Sequence, residues 1–394
     1  MNFKIHLIAA AIALNGALAM AAEDPIKVGL VVPVTGGSSP IGVSVRDGVK
    51  LAVAEINAKG GLLSRQIQLI ERDDESKNER AVQIAQEMIN KEKIAVAIGF
   101  VNTGTSLASQ RFYQEAKIPA ITTTATGTVV TQQFKDQPEN YVFRVSASDA
   151  IQAAMMVEEA VVRKKFTKLA VLADSTNYGQ LGLDDLVKSL TAKGVTPVVI
   201  EKFNIKDVDM TAQLLRSREA GAQALLVYGV GPELAQIANG MKKLGWKVPM
   251  IGSWNLASAN FLDNAGANGN GSMMPQTFIQ DPVTPKHKAF IEAYQKAFKI
   301  DRIPVPSPAA QAYDSMLILA AAIKQAGTTD GSKVREALEN LIEPVEGVIT
   351  TYRKPFAKGQ HEAINAQIPV FGVVKDGRVF YANPEDRTRN MAVK

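Results

Sequence analysis

The chain has 394 residues, 46% of them hydrophobic and 21% charged, with a formal net charge of +5. That balance belongs to a packed globular protein of two or three domains and excludes a disordered chain. It contains no cysteine, which excludes disulfides, thiolate metal sites, cysteine nucleophiles and a lipidated amino-terminal cysteine, and only three histidines (His6, His287, His361) from which to build a zinc site or a catalytic triad.

Residues 1–21 carry Lys4, then an apolar run from Leu7 to Leu14, then the small-x-small triplet Ala19-Met20-Ala21. This order of charge, apolar block and small residues predicts a secretory signal peptide cleaved after Ala21, with an apolar run too short to span a bilayer. Without an anchoring cysteine, the expected location of the mature chain is the periplasm. Basic residues are dispersed among acids, as in Glu71-Arg72-Asp73-Asp74-Glu75-Ser76-Lys77. A mixed-charge surface is expected, with no nucleic-acid partner, and Asp73-Asp74-Glu75 is read as a solvated turn.

Ile26–Pro33 reads as a buried strand. Asp47–Ala58 follows with helical spacing and is stopped by Gly60-Gly61. Gln66–Arg72 alternates as a strand, Asn78–Asn90 is helical, and Ile94–Phe100 is a strand. Ser106–Ala116 is a helix and Ile118–Thr122 a strand. The pattern restarts after Arg144. Lys168–Ala173, Thr196–Glu201, Ala224–Tyr228 and Val248–Gly252 are strands, separated by helices at Gly182–Lys193, Met210–Ala220 and Pro232–Lys243. Such alternation predicts two α/β lobes with doubly wound parallel sheets. The tail adds helices at Thr284–Phe298 and Pro308–Ala326 and extended segments at Val348–Tyr352, Val370–Lys375 and Arg378–Tyr381. Asp376-Gly377 marks a hairpin between the last two. No third core is large enough for this tail, so it is expected to complete both lobes.

Ligands of open parallel sheets bind beyond the carboxyl ends of the strands. The stretches there are Val101-Asn102-Thr103-Gly104-Thr105-Ser106 and Thr122-Thr123-Thr124-Ala125-Thr126-Gly127-Thr128, both rich in hydroxyls. Such loops at helix starts suit a carboxylate or another anion, and they equally suit ordinary helix capping. The second lobe places Tyr178 and Trp254 on loops at the corresponding ends, where they either stack on an apolar ligand or fill the lobe core. The chain lacks a nucleophile elbow, a phosphate-binding P-loop and a dinucleotide fingerprint. His361 is a lone histidine for which a structural hydrogen bond is expected.

Together these residues resemble the periplasmic leucine/isoleucine/valine-binding proteins, the type I substrate-binding proteins of ABC importers. The resemblance is carried by IKVGLVVPVTG (26–36), AVAEINAKGG (52–61), LIERDDES (69–76), AIGFVNTGTSLAS (97–109), AITTTATGTVVT (120–131) and NYGQLG (177–182). It implies two lobes joined by a three-strand hinge, here 26–145 with 277–348 and 146–276 with 349–394. It also implies a ligand held by its carboxylate in the cleft, and delivery of that ligand to a permease and ATPase complex by a monomer. The matching ligand positions are Ser38, Ser39, Asn102, Thr103, Thr124, Thr126 and Tyr178.

The chain departs from this pattern at two places. Trp254 stands where the amino-acid binders carry the acid for the α-ammonium, and Val230 stands for a further tyrosine, with Tyr228 close by; Asp263 and Glu233 are alternative sources of the charge. An ammonium without a counter-charge in a closed cleft costs several kcal/mol. The expected ligand is therefore an aromatic or other organic acid, with branched-chain amino acids as the alternative. No metal and no cofactor are expected. A secreted hydrolase on the same scaffold lacks a nucleophile–base pair, and a sensory role is not separated from transport by sequence.

Overall fold

The computed structural model describes residues 24–387; the expected signal peptide, residues 1–21, lies outside the described residues. The first half alternates β1 (Ile26–Val31), α1 (Ser39–Ala58), β2 (Ile67–Arg72), α2 (Asn78–Glu87), β3 (Val96–Gly99), α3 (Thr103–Glu115), β4 (Ala120–Thr122) and β5 (Val142–Arg144). The middle runs α4 (Asp149–Val157), β6 (Leu169–Asp174), α5 (Asn177–Ala192), β7 (Val199–Phe203), α6 (Thr211–Glu219), β8 (Ala224–Tyr228), α7 (Glu233–Lys243), β9 (Met250–Gly252), α8 (Ala259–Ala265) and β10 (Met273–Gln276). The tail adds α9 (Pro285–Phe298), α10 (Pro306–Ala326), α11 (Gly331–Glu339), β11 (Val345–Glu346), β12 (Thr351–Tyr352), β13 (Val370–Lys375) and β14 (Arg378–Tyr381).

The first sheet has the order β2-β1-β3-β4-β5 and is parallel throughout. The second is parallel over β7-β6-β8-β9-β10; β13 then joins β10 antiparallel, and β14 closes the edge. Every residue of β3, β6 and β8 is buried, so both sheet faces need a helical cover. The β13–β14 turn places Asp376 and Gly377 at φ +50° and +69°, the double left-handed geometry that a two-residue hairpin requires. In both sheets the strand order reverses beside the first strand, at β1/β3 and at β6/β8, which opens a crevice at their carboxyl ends.

The tail serves both halves: α9 and α10 pack on α1, and β13 and β14 extend the second sheet. The chain passes between the halves at 145–148, at 277–284 and at 353–369. The third passage is pinned to the first sheet by a ladder of Arg144 N–H to His361 O (2.9 Å) and Ala363 N–H to Arg144 O (2.9 Å). The fully buried Arg144 guanidinium reinforces it, donating from Nε to Glu362 Oε2 (2.8 Å) and from Nη1 to Gly127 O (2.7 Å).

Several elements differ from the sequence expectation. Helix α1 begins at Ser39, eight residues before Asp47. Pro40 sits in its first turn, where a missing N–H costs nothing. Gly42 and Gly48 interrupt its apolar periodicity because they are contact points. An added Cβ would come to 1.8 Å from Pro33 O at the first and 2.3 Å from Ala309 O at the second. Strands β5 and β10 and helices α4, α8 and α11 carry too few residues, or too many small and polar ones, to stand out by periodicity. Val348–Tyr352 is paired only over Thr351–Tyr352, because the amides of Val348 and Ile349 are taken by the buried Asp314 carboxyl (2.7 and 3.0 Å). The solvated turn expected at Asp73-Asp74-Glu75 is also corrected. Asp74 is buried beneath α3, where burial pushes its carboxyl up to about 6, and Asp73 caps the β1–α1 loop through Val34 N–H and the Thr35 hydroxyl.

Candidate functional site

The loop after β3 is shaped by an unusual backbone. Phe100 takes φ +60°, a left-handed conformation that a bulky residue adopts only when its surroundings impose it. Its carbonyl accepts Ala125 N–H (3.0 Å), which draws the loop after β4 against the loop after β3. Helix α3 starts at Thr103 with Asn102 in extended geometry before it. Asn102 donates from Nδ2 to Ser38 Oγ (3.1 Å), and Gly127 N–H reaches Thr103 Oγ1 (3.3 Å). Three loops of the first sheet thereby converge on one helix N-terminus, whose first-turn N–H groups have no partner within the helix.

In the second half, Asp174 ties two loops together. It accepts Thr176 N–H at Oδ1 (2.8 Å) and Val230 N–H at Oδ2 (2.9 Å). Helix α5 then presents Tyr178, whose ring lies 5.0 Å from that of Tyr228. Gly182 makes room for the second ring: a Cβ there would lie 2.0 Å from Tyr228. The backbone of Trp254 is gripped from both sides, its N–H by Gln152 Oε1 (3.2 Å) and its carbonyl by Gln276 Nε2 (2.9 Å).

These two halves meet around a narrow cavity. Of the nine residues expected from sequence, Asn102, Thr103, Thr124, Thr126, Tyr178, Val230 and Trp254 line it, together with Ile41, Val101 and Asn255. Ser38 stands one hydrogen bond behind Asn102, and Ser39, the first residue of α1, does not line the cavity. A second narrow cavity shares Thr126 and Trp254 with the first and is lined by Gln152, Gln276, Thr277, Ser307 and Gln311. No charged side chain lines either cavity. Around the first, Asn102 Oδ1, Trp254 Nε1 and Asn255 Oδ1 are buried without a hydrogen-bond partner.

The alternative sources of an ammonium counter-charge are elsewhere. Asp263 is exposed and held by Arg302 in a bidentate pair (2.6 and 2.7 Å). Glu233 is buried against Gly231 and accepts Lys206 N–H. Asp149, a residue that the sequence reading passed over, is fully buried at the start of α4 behind the two tyrosines. It accepts the Tyr228 hydroxyl at Oδ1 (2.6 Å), and its own N–H donates to Thr126 O (2.8 Å). Burial pushes its carboxyl up to about 7; the hydroxyls of Thr126 and Tyr228 and the charge of Arg144 oppose the shift, and Asp185 adds to it. Burial likewise raises Tyr178 and Tyr228 well above the ordinary phenol range. Asn255 was also missed; it carries no sequence signal beyond its place next to Trp254. Two further contacts join the rims of the cleft: the Thr128 hydroxyl donates to Asp185 Oδ2 (2.7 Å) and Asn260 Nδ2 to Gly37 O (2.6 Å).

His361 is stacked on Phe143 at 4.0 Å and bonded to Val142 O (2.8 Å) and Glu339 (3.1 Å), the structural placement expected of it. Among the described residues no cluster of three potential metal ligands occurs, and no helix is long and apolar enough to cross a membrane.

Comparison with known proteins gives a consistent answer. The sequence profile of the family described as periplasmic binding protein matches residues 25–378. The chain is 29% identical over 329 residues to a leucine-, isoleucine-, valine-, threonine- and alanine-binding protein of Pseudomonas aeruginosa, covering 83% of this chain and 85% of that one. It is similar in structure to a type 1 periplasmic binding protein of Bordetella pertussis (TM-score 0.82, 27% identity, 91% and 100% of the two chains). A benzoate-bound solute-binding protein of Rhodopseudomonas palustris shares the fold (TM-score 0.78, 21% identity, 91% and 96%).

Proposed function

The chain belongs to the periplasmic binding protein family, substrate-binding proteins of ABC importers and not enzymes, and from that premise we propose that it captures a small organic carboxylate with an aromatic body and hands it to a membrane permease. The observation that carries this reading is the lining of the cleft. The first half offers the hydroxyls of Thr103, Thr124 and Thr126, the first turn of α3 and the apolar Ile41 and Val101; the second offers Tyr178, Trp254 and Val230. A carboxylate is well served by neutral donors at a helix N-terminus. An α-ammonium finds no acid on the wall, and burying it there is unfavourable by several kcal/mol.

Closure follows from the same geometry. The carboxylate contacts come from the first sheet and the ring contacts from the second, so a ligand gains both sets only when the halves meet. Its differential affinity for the closed form then shifts the population toward it, and no bond is made or broken. The three passages at 145–148, 277–284 and 353–369 are the hinge. A monomer in the periplasm presenting its closed form to the permease completes the reading.

The relative from Pseudomonas is named for aliphatic amino acids, and the fold also accommodates benzoate in Rhodopseudomonas; the lining of this cleft favours the acid without an amine. Titration calorimetry with a panel of benzoates and with leucine, isoleucine and valine tests it. Micromolar binding of an aromatic acid is expected. Micromolar leucine binding with no aromatic acid bound overturns it.

A further inference from the structure

Trp254 and Asn255 are adjacent on the cavity wall, and each is more than nine-tenths buried. Trp254 Nε1 is a donor without an acceptor, and Asn255 Oδ1 an acceptor without a donor. Buried polar groups left in this state are rare and costly, and two of opposite sense on residues of one cavity wall suit a group that accepts and donates at once.

The orientation of Asn255 is set by its neighbours. Tyr228 donates its hydroxyl hydrogen to Asp149 Oδ1, and it does so whether Asp149 is ionised or carries a proton on Oδ2, the oxygen without a partner. The Tyr178 ring packs against that of Tyr228 at 5.0 Å. The Tyr178 hydroxyl oxygen accepts from Asn255. Asn255 supplies Nδ2–H at 3.1 Å. Its Oδ1 is thereby presented as an acceptor.

We propose that Asn255, held by the Tyr178 hydroxyl, is a specificity-determining residue which, with the Trp254 indole N–H, selects ligands bearing a hydroxyl on the ring. This rests on the aromatic-carboxylate reading above and deepens it. A hydroxyl accepts from Nε1 and donates to Oδ1. A methyl group satisfies neither, an ammonium donates but cannot accept, and a second carboxylate would face the Asn255 oxygen. Sites built to hydrogen-bond a substrate hydroxyl discriminate strongly against analogues that lack it, because their own polar groups are left unpaired.

The test uses pairs of nearly equal size: 3-hydroxybenzoate against 3-methylbenzoate, and 4-hydroxybenzoate against 4-methylbenzoate, titrated calorimetrically into the mature protein. At least one hydroxyl acid is expected to bind ten times or more tightly than its methyl partner. In Asn255→Leu that ratio is expected to fall below about threefold; Asn255→Ala replaces this variant should the leucine fail to fold. Tyr178→Phe, which frees the amide to rotate, is expected to lower the ratio as well. Equal affinities in both wild-type pairs overturn the inference while leaving the aromatic-acid reading in place, as does a wild-type preference that survives in the Asn255 variant. Binding of none of the four acids overturns both.

Discussion

Tyr228 donates a hydrogen bond of 2.6 Å to Asp149 Oδ1, and neither residue has any exposed surface. One belongs to a central strand of the second sheet and the other to the first turn after the chain leaves the first sheet. The Asp149 backbone N–H is tied to the first half at the carbonyl of Thr126, whose side chain lines the cleft. A titratable group thus sits behind the wall, one residue from the place where a carboxylate is expected.

That position makes binding sensitive to pH. Burial holds Asp149 near 7 in the free protein, and a bound anion disfavours its ionised form further, so binding takes up a proton. Affinity for a carboxylate is expected to be highest below pH 6 and to fall as pH rises through 7, by at most about tenfold per pH unit. Calorimetry from pH 5.5 to 8.5 in buffers of differing ionisation enthalpy checks this. In Asp149→Asn the profile should flatten; an unchanged profile refutes the link.

Thr103 is buried at the first position of α3 and lines the cavity. Replacing it with valine keeps the shape and removes the hydroxyl. A hydrogen bond to a charged group contributes about 1.5–3 kcal/mol, so Thr103→Val should weaken carboxylate binding roughly 10- to 150-fold. Affinity retained within threefold, in a protein with unaltered melting, would place the carboxylate elsewhere.

Arg144 and Glu362 hold the third passage to the first sheet. The guanidinium is fully buried, while the Glu362 side chain keeps 25% of its exposure. Glu362→Ala leaves that guanidinium without a counter-ion, a loss of about 3 kcal/mol. Urea denaturation should show a lower midpoint at unchanged slope. Because Glu362 lies outside the cavity, a stability loss well under 1 kcal/mol would mean that solvent already screens the pair.

Much of the scaffold was legible because parallel strands buried on both faces are short apolar runs separated by amphipathic helices. The runs ALLVY at 224–228 and KLAVLA at 168–173 left no other reading, and Asp376-Gly377 announced its own hairpin. Elements that lean on distant partners were not legible. Strand β10 contains Pro275 and pairs with β13 nearly a hundred residues later, and the periodicity of α1 is broken at Gly48, where the helix meets Ala309. The buried state of Asp74 was invisible for the same reason: nothing local covers it.

The hydroxyl-rich loops at 101–106 and 122–128 and the aromatic residues Tyr178 and Trp254 were identifiable from sequence because strand ends are where backbone donors and loop side chains become available. Their convergence was not. It depends on the left-handed Phe100, on Asp174 bridging two loops, and on Gly182 admitting the Tyr228 ring, all of them contacts between segments far apart in the chain. Residue order decided which groups lie at the mouths of the strands. The tertiary structure alone decided that no charge faces the cavity and that Asp149 and Asn255 stand behind and within its wall, because burial and hydrogen-bond polarity are properties of neighbours in space.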